Sequence, residues 1–235
     1  MHDYRMIAMI PARMGSRRIP QKNIRYMLDK PLIQYPIDLA FECGGFESIW
    51  INTESRELGK FCENLGVQFH KRPIELSGDT ATNREFVYEF LTRHECDYVV
   101  MLNPTSPTLR LSTLNQFINF VRENEYDTVM SVASVKAEGM CKGNLINFDK
   151  SDKIPSEKLE ALEYVVWAVT AWKRETFLAL QEKGVCPVFG GEMATFTIPK
   201  DEAQDLDNEE DWTIAEAILK ARQSVGRTQK KYLEL

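Results

Sequence analysis

A short apolar run at Arg5–Ile10 leads at once into a loop holding Gly15, Ser16 and the cations Arg13, Arg17, Arg18 and Lys22. Apolar residues then resume at broadly helical spacing in Pro31–Glu42, with Leu32, Ile33, Tyr35, Pro36, Leu39 and Ala40. The first stretch reads as a buried strand and the last as a helix. Strand, basic Gly/Ser loop and helix in that order constrain the chain to an α/β arrangement suited to phosphate. Loop amides converge on anionic oxygens, while guanidinium and ammonium groups supply charge and donors. The loop is neither Gly-x4-Gly-Lys-Ser/Thr nor Gly-x-Gly-x-x-Gly, and the bland alternative is a basic surface turn.

The alternation continues downstream. Ser48–Asn52 reads as a strand, and Thr53–Ser55 leads into a helix that stops near Gly66. Val67–His70 reads as a short strand, Asn83–His94 as a helix with Phe86, Val87, Phe90 and Leu91 on one face, and Tyr98–Leu102 as a buried strand. Ser112 is the expected cap of a helix whose apolar face is Leu114, Phe117, Ile118 and Val121; a strand at Thr128–Val132 follows. Such alternation predicts a mostly parallel sheet covered on both faces, with ligands at the carboxyl ends of the strands. The basic loop and Asn103–Pro107 both fall there. Between Lys136 and Glu163 the pattern lapses into a segment too long for a simple connection. Tyr164–Trp172 then reads as a strand, Arg174–Lys183 as a helix, Val188 and Thr195–Ile198 as short strands, and Glu209–Arg222 as the last helix before a polar, frayed tail.

Composition excludes several classes. Hydrophobic residues at 43% and charged residues at 27% are ordinary globular values. A net charge of -6 argues against a nucleic-acid binder, since the positive charge is local to the first loop. No apolar run reaches the ~18 residues of a membrane helix, and no leader-like segment opens the chain, so a cytoplasmic location is expected. The five cysteines are scattered and never spaced Cys-x-x-Cys, which fits reduced thiols better than zinc or disulfides. His2, His70 and His94 form no ligand spacing and read as surface or structural residues.

One further stretch carries chemistry. Asp205 and Asp207 stand two apart, so in extended backbone both carboxylates project to one side and can face one cation. Oxygen ligands of this kind suit Mg2+, which takes one or two carboxylates and completes its shell with water and substrate phosphates. The alternative is helix capping, because Asp205–Asp211 contains five acids ahead of the last helix.

The stretch Pro11-Ala-Arg-Met-Gly-Ser-Arg-Arg-Ile-Pro-Gln-Lys-Asn23 resembles the signature of the CMP-sugar synthetases, specifically the acylneuraminate cytidylyltransferase family. Three stretches follow in the same order: Arg72-Pro73 through Gly78-Asp79-Thr80, Asn103-Pro-Thr-Ser-Pro107, and Asp205-Leu-Asp207. The resemblance spans about the first 135 residues and resumes near the C-terminus. It implies a Rossmann-like nucleotide-diphospho-sugar transferase fold over residues 1–225, with 136–172 as an inserted dimerisation and acceptor lobe and 226–235 as a tail. It implies a homodimer that transfers CMP from CTP to the anomeric hydroxyl of a 2-keto-3-deoxy sugar acid, such as a sialic-acid-like nonulosonate, for surface glycans. In that scheme Arg13, Lys22 and Asp207 are catalytic. Ala12, Arg13, Ser16, Lys22, Asn23, Arg72, Asp79 and Asn83 bind nucleotide, Asn103, Thr105 and Ser106 bind acceptor, and Asp205 and Asp207 hold Mg2+. For Arg72 and Asp79 the alternative is an ion pair that fixes a loop.

The chain departs from the family pattern in three places. Asn83 stands where serine is usual and Asn103 where glutamine is usual. Tyr164–Thr170 replaces an Arg-Pro-Asn-Gly-Ala-Ile-Tyr stretch, so the arginine that meets a substrate carboxylate is missing. Lys153 or Lys158 would have to replace it. Trp167 reads as core, with narrowing of the sugar pocket as the sharper alternative. The departures leave open a phosphonate or polyol-phosphate acceptor, or a non-catalytic nucleotide-binding partner.

Overall fold

The computed structural model describes residues 3–224; the tail at 226–235 and His2 lie outside them. Seven strands form the main sheet: β1 Met6–Pro11, β2 Ser48–Thr53, β3 Gln68–Lys71, β4 Tyr98–Leu102, β5 Thr128–Val135, β6 Leu162–Lys173 and β7 Met193–Thr197. Their order is β7-β5-β6-β4-β1-β2-β3. All run parallel except β6, which is antiparallel to both neighbours. β4 is buried from end to end, as its unbroken apolar run requires in a sheet covered on both faces.

Among the described residues six α-helices complete the fold: α1 Gln34–Cys43, α2 Arg56–Asn64, α3 Asn83–Leu91, α4 Leu111–Glu123, α5 Arg174–Glu182 and α6 Glu209–Gln223. Ile37, Ala40, Leu58, Cys62, Leu114 and Phe117 from α1, α2 and α4 pack on one face of the sheet. Val87, Phe90, Leu91 and Phe177 from α3 and α5 pack on the other with Trp172. A smaller core joins Ile19 of the basic loop to Met27, Leu32, Leu206, Trp212 and Ala215, so α6 and the first loop are buried against each other.

Local chemistry sets the ends of these helices. α1 starts later than expected because Lys30–Pro31 pairs with Tyr26–Met27, and it stops where Gly44 turns left-handed at φ 62. Ser55 Oγ accepts from Leu58 N at the start of α2. Thr82 and Glu85 form a capping box on α3, which the sequence reading did not single out. Ser112 does not cap α4. The cap position is Arg110, whose backbone N–H donates to the fully buried Glu202 while its guanidinium pairs with Glu202 and Asp201. The strand expected at Val188 is a 3-10 turn at Pro187–Phe189, since Pro187 has no N–H to give a ladder.

The atypical middle segment divides in two. Residues 136–161 leave the sheet and form a small pairing of Met140–Cys141 with Asn144–Leu145, whereas the second half of 136–172 is the sheet strand β6. Among the described residues no helix is long and apolar enough to cross a membrane.

Two histidines pin α3 to the sheet edge, as structural residues should. His70 Nδ1 and His94 Nε2 lie 2.9 Å apart, His70 Nε2 is 2.8 Å from Glu89, and the Trp50 ring covers His94 at 4.0 Å. Burial lowers both pKa values, that of His94 from 6.5 to about 4 with the His70 charge adding to the effect. The unfolded chain therefore takes up protons first as the pH falls. Stability from the neutral pair is complete above pH 6.5 and is lost as the pH falls toward 4. Thermal unfolding followed across that interval is expected to show a steep fall in Tm for the natural chain and a shallower one for His94→Gln.

Candidate active site

The parallel strands end on one edge of the sheet, where a cleft of about 570 Å³ opens. Its centre is the loop leaving β1. Ile19, fully buried, anchors the loop, and Gln21 takes a left-handed turn at φ 54. The Asn23 amide donates to Arg13 O at 2.8 Å, and Glu54 accepts the Met14 N–H at 2.8 Å. The loop is thus shaped by its own Asn23 and by Glu54 beyond β2. The Ala12 N–H is already given to Asn52 O at 2.9 Å, and Ala12 is fully buried behind the cleft.

Arg13, Ser16, Arg17, Arg18, Lys22, Asn23, Arg72, Asp79, Asn83, Asn103, Thr105 and Asp207 all line this one cleft, so most of the residues singled out in the sequence meet there. Ser106 does not. Its buried side chain lines a separate cavity of about 230 Å³, reached from the other side of Asn103. Lys153 pairs with Glu138 in the 136–161 segment, and neither Lys153 nor Lys158 lines the cleft.

Arg72 and Asp79 do not pair. Asp79 bridges Arg13 and Arg17, each at 2.8 Å. Arg72 instead donates to Asn52 Oδ1 at 2.7 Å and to Asn52 O at 3.1 Å, and its guanidinium lies 4.3 Å over the Phe86 ring. Burial lowers the Arg72 pKa to about 10, so it stays charged at neutral pH. A second acid, Asp207, holds Arg18 at 2.8 Å. Two carboxylates thus occupy the arginine positions that an anionic ligand would claim.

The link between the loop and the C-terminal acidic segment is Lys22. Its Nζ donates to Leu206 O at 2.7 Å, between Asp205 and Asp207. Burial lowers its pKa, and the two aspartates push back in the opposite direction. Burial raises the Asp205 pKa, with the Asp207 charge adding to the rise. Leu206 N donates to Thr105 O at 2.9 Å, which fastens the acidic segment to the loop after β4. The acidic run is divided by role. Asp211 accepts the backbone N–H groups of Asp207 and Asn208 and caps α6, while Asp205 and Asp207 lie ahead of that cap. A desolvated carboxylate beside a second one is a donor set that gains from a hard divalent cation. Among the described residues no group of three or more His, Cys, Asp or Glu forms a ready cage.

Sequence reasoning assigned Phe86 and Met101 to helix and strand and leaned to core for Trp167, yet all three line the cleft. The placement of Trp167 depends on an irregularity in β6 that no pattern of residue types announces.

Sheet topology and cleft define an α/β protein with a charged cleft at the carboxyl edge of a mostly parallel sheet, positive on the loop and negative on the facing segment. Residues 7–232 match the family described as Cytidylyltransferase, and the chain belongs to that family. The chain is 28% identical over 222 residues to N-acylneuraminate cytidylyltransferase A of Danio rerio, covering 89% of this chain and 49% of that protein. It is 30% identical over 216 residues to N-acylneuraminate cytidylyltransferase of Streptococcus agalactiae serotype III, covering 88% of this chain and 51% of that protein. The chain therefore spans about half the length of both relatives. It is also 25% identical over 238 residues to CMP-N,N'-diacetyllegionaminic acid synthase of Legionella pneumophila, with 93% of this chain and 98% of that protein covered. Among solved structures, CMP:2-keto-3-deoxy-manno-octonic acid synthetase complexed with CTP shares the fold, with a TM-score of 0.68, 17% identity and coverage of 93% of this chain and 99% of that one.

The geometry separates the cations by weight. Lys22 is half-buried and hydrogen-bonded to the facing segment, whereas the Arg17 side chain is 86% exposed. A charge-assisted hydrogen bond in a desolvated site is worth about 1.5–3 kcal/mol, an exposed ion pair about 0–1. Calorimetric titration with CTP is expected to show Lys22→Met weakening binding by about tenfold or more and Arg17→Ala by less than about threefold.

Proposed function

We propose that this chain is a CTP-dependent nucleotidyltransferase that moves CMP onto the anomeric hydroxyl of a 2-keto-3-deoxy sugar acid of the nonulosonate type. The observation that carries this reading is the convergence of Lys22, the arginine loop and Asp207 in one cleft, with Lys22 hydrogen-bonded to Leu206 O between Asp205 and Asp207. Membership of the cytidylyltransferase family and the names of the relatives support it.

The acceptor oxygen attacks the α-phosphorus of CTP. A new P–O bond to the sugar forms, the bond from the α-phosphorus to the bridging oxygen breaks, pyrophosphate leaves, and the hydroxyl proton passes to water. The chain's part is to position these groups and neutralise charge. Arg13 and Lys22 face the triphosphate and the departing pyrophosphate, with Ser16 beside them. Arg72, Asp79 and Asn83 form the nucleotide flank, where the triphosphate takes over Arg13 and Arg17 from Asp79. Asn23 acts by holding Arg13 O, and Ala12 by holding the loop to β2. Asn103 and Thr105 border the acceptor. No general base is assigned, since His70 and His94 are tied to each other away from the cleft.

Asp205 and Asp207 would hold Mg2+, because both are oxygen donors and Asp205 is desolvated beside a like charge. When bound, the ion supplies charge neutralisation and polarisation of the phosphoryl group. Homodimerisation through the segment after β5 and the start of β6 fits their exposed apolar side chains, Met140 and Ile146 in the segment and Tyr164 in the strand. The five cysteines, all free, fit a reducing cytoplasmic location.

A second reading keeps the chemistry but changes the acceptor to a polyol phosphate or phosphonate. It is favoured by the Trp167 wall, which offers no cation for a carboxylate. Pyrophosphate release with Mg2+ and each of CTP, ATP, GTP and UTP, over a panel of keto-sugar acids, phosphonates and polyol phosphates, separates the two. The expected result is release with CTP and a sugar acid, reduced about 100-fold or more by Asp207→Ala. Release with polyol phosphates alone would replace the acceptor, and CTP binding without any turnover would favour a non-catalytic nucleotide-binding partner.

A further inference from the structure

The sheet order lays out the cleft from side to side. The loop after β1 is central; β2 and β3 lie to one side with Arg72, and β4 and β6 to the other with Asn103, Thr105 and Trp167. The acidic segment is fastened to the second side through Leu206 N and Thr105 O. On the cytidylyltransfer reading, a phosphorus held beside Lys22 and Asp207 is met by the acceptor from the β4–β6 side, opposite Arg72.

The wall there is built by a distortion of β6. Val165 pairs with Val132 and Thr170 with Met130, so β6 advances five residues while β5 advances two. The surplus arches out as Val166–Val169. One buried hydroxyl closes the arch: Ser131 Oγ donates to Val166 O and accepts the Val169 N–H at 3.2 Å. The outer edge is tied to β4, where Asn103 N donates to Ala168 O at 3.1 Å. Val166, Ala168 and Val169 are all buried, leaving Trp167 as the one arch residue that faces the cleft. Bulges re-aim side chains in this way. The indole lies 6.1 Å from the Phe189 ring, and its N–H makes no hydrogen bond among the described residues.

We infer that Trp167 is a specificity-determining residue, whose indole forms a flat wall of the acceptor subsite, so that among the keto sugar acids the chain turns over, nonulosonates included, kcat/KM falls as N-acyl and side-chain bulk grows. The inference rests on the cytidylyltransfer reading. An indole held rigidly at both ends of its arch does not give way to a larger acceptor, and its face packs well against the apolar face of a sugar ring.

The test compares pyrophosphate release with CTP and Mg2+ for two probes, the eight-carbon 3-deoxy-manno-octulosonate and the nine-carbon N-acetylneuraminate. The kcat/KM ratio of the smaller to the larger probe is expected to fall at least tenfold in Trp167→Gly and to be retained within threefold in Trp167→Phe. The KM for CTP should stay within twofold in both. Trp167→Leu, which keeps an apolar side chain on the arch, carries the comparison if the glycine variant does not fold; a fall of threefold or more is then expected. An unchanged ratio overturns the inference alone, as does a CTP KM raised tenfold, which would put the indole against the nucleotide. No release with either probe, by natural chain or variants, overturns the sugar-acid reading beneath it.

Discussion

The hydrogen bond from Lys22 Nζ to Leu206 O joins residues 184 apart in sequence and makes the cleft one site. On one side of it stands a loop whose positive charge would repel itself if left alone. On the other stand Asp205 and Asp207, where burial and then the Asp207 charge raise the cost of ionising Asp205. Bringing the two together relieves both, and the buried contact of Ile19 with Leu206 and Trp212 holds them in register. Lys22 is the pivot because burial lowers its pKa while the aspartates push it up, so the facing segment offsets part of the cost of burying the ammonium group.

The same balance explains the ion pairs across the cleft. Asp79 on Arg13 and Arg17, and Asp207 on Arg18, keep the guanidinium groups ordered and partly neutralised. These pairs are solvent-exposed and individually weak. They are therefore exchangeable for phosphate oxygens, unlike the buried Arg72–Asn52 contact, which is part of the scaffold.

Much of this was legible in the sequence, for physical reasons that differ by element. β4 announces itself because a central parallel strand is apolar on both faces, and α2 because Ser55 and Gly66 mark its ends. The cleft was legible because Arg13, Lys22, Asn103 and Asp207 follow strand ends, where a parallel sheet places its ligands. The direction of β6 was not, since β-branched and aromatic runs look alike in either orientation. Nor was the arch that turns Trp167 into the cleft, because it is set by the register between β5 and β6 and by one hydroxyl on another strand. Ser106 and the partners of Asp79 were illegible for a related reason: side-chain direction in a turn depends on tertiary contacts, not on residue type.

The most direct test of the account is a crystal structure of the chain soaked with CTP. The account predicts triphosphate oxygens on Arg13 and Lys22, Asp79 released from Arg13 and Arg17, and the cytidine lying toward Arg72 and Asn83, with the wall at Asn103 and Trp167 left open. A nucleotide seated against Trp167, or a triphosphate that leaves Lys22 and the Asp205–Asp207 segment untouched, would contradict it.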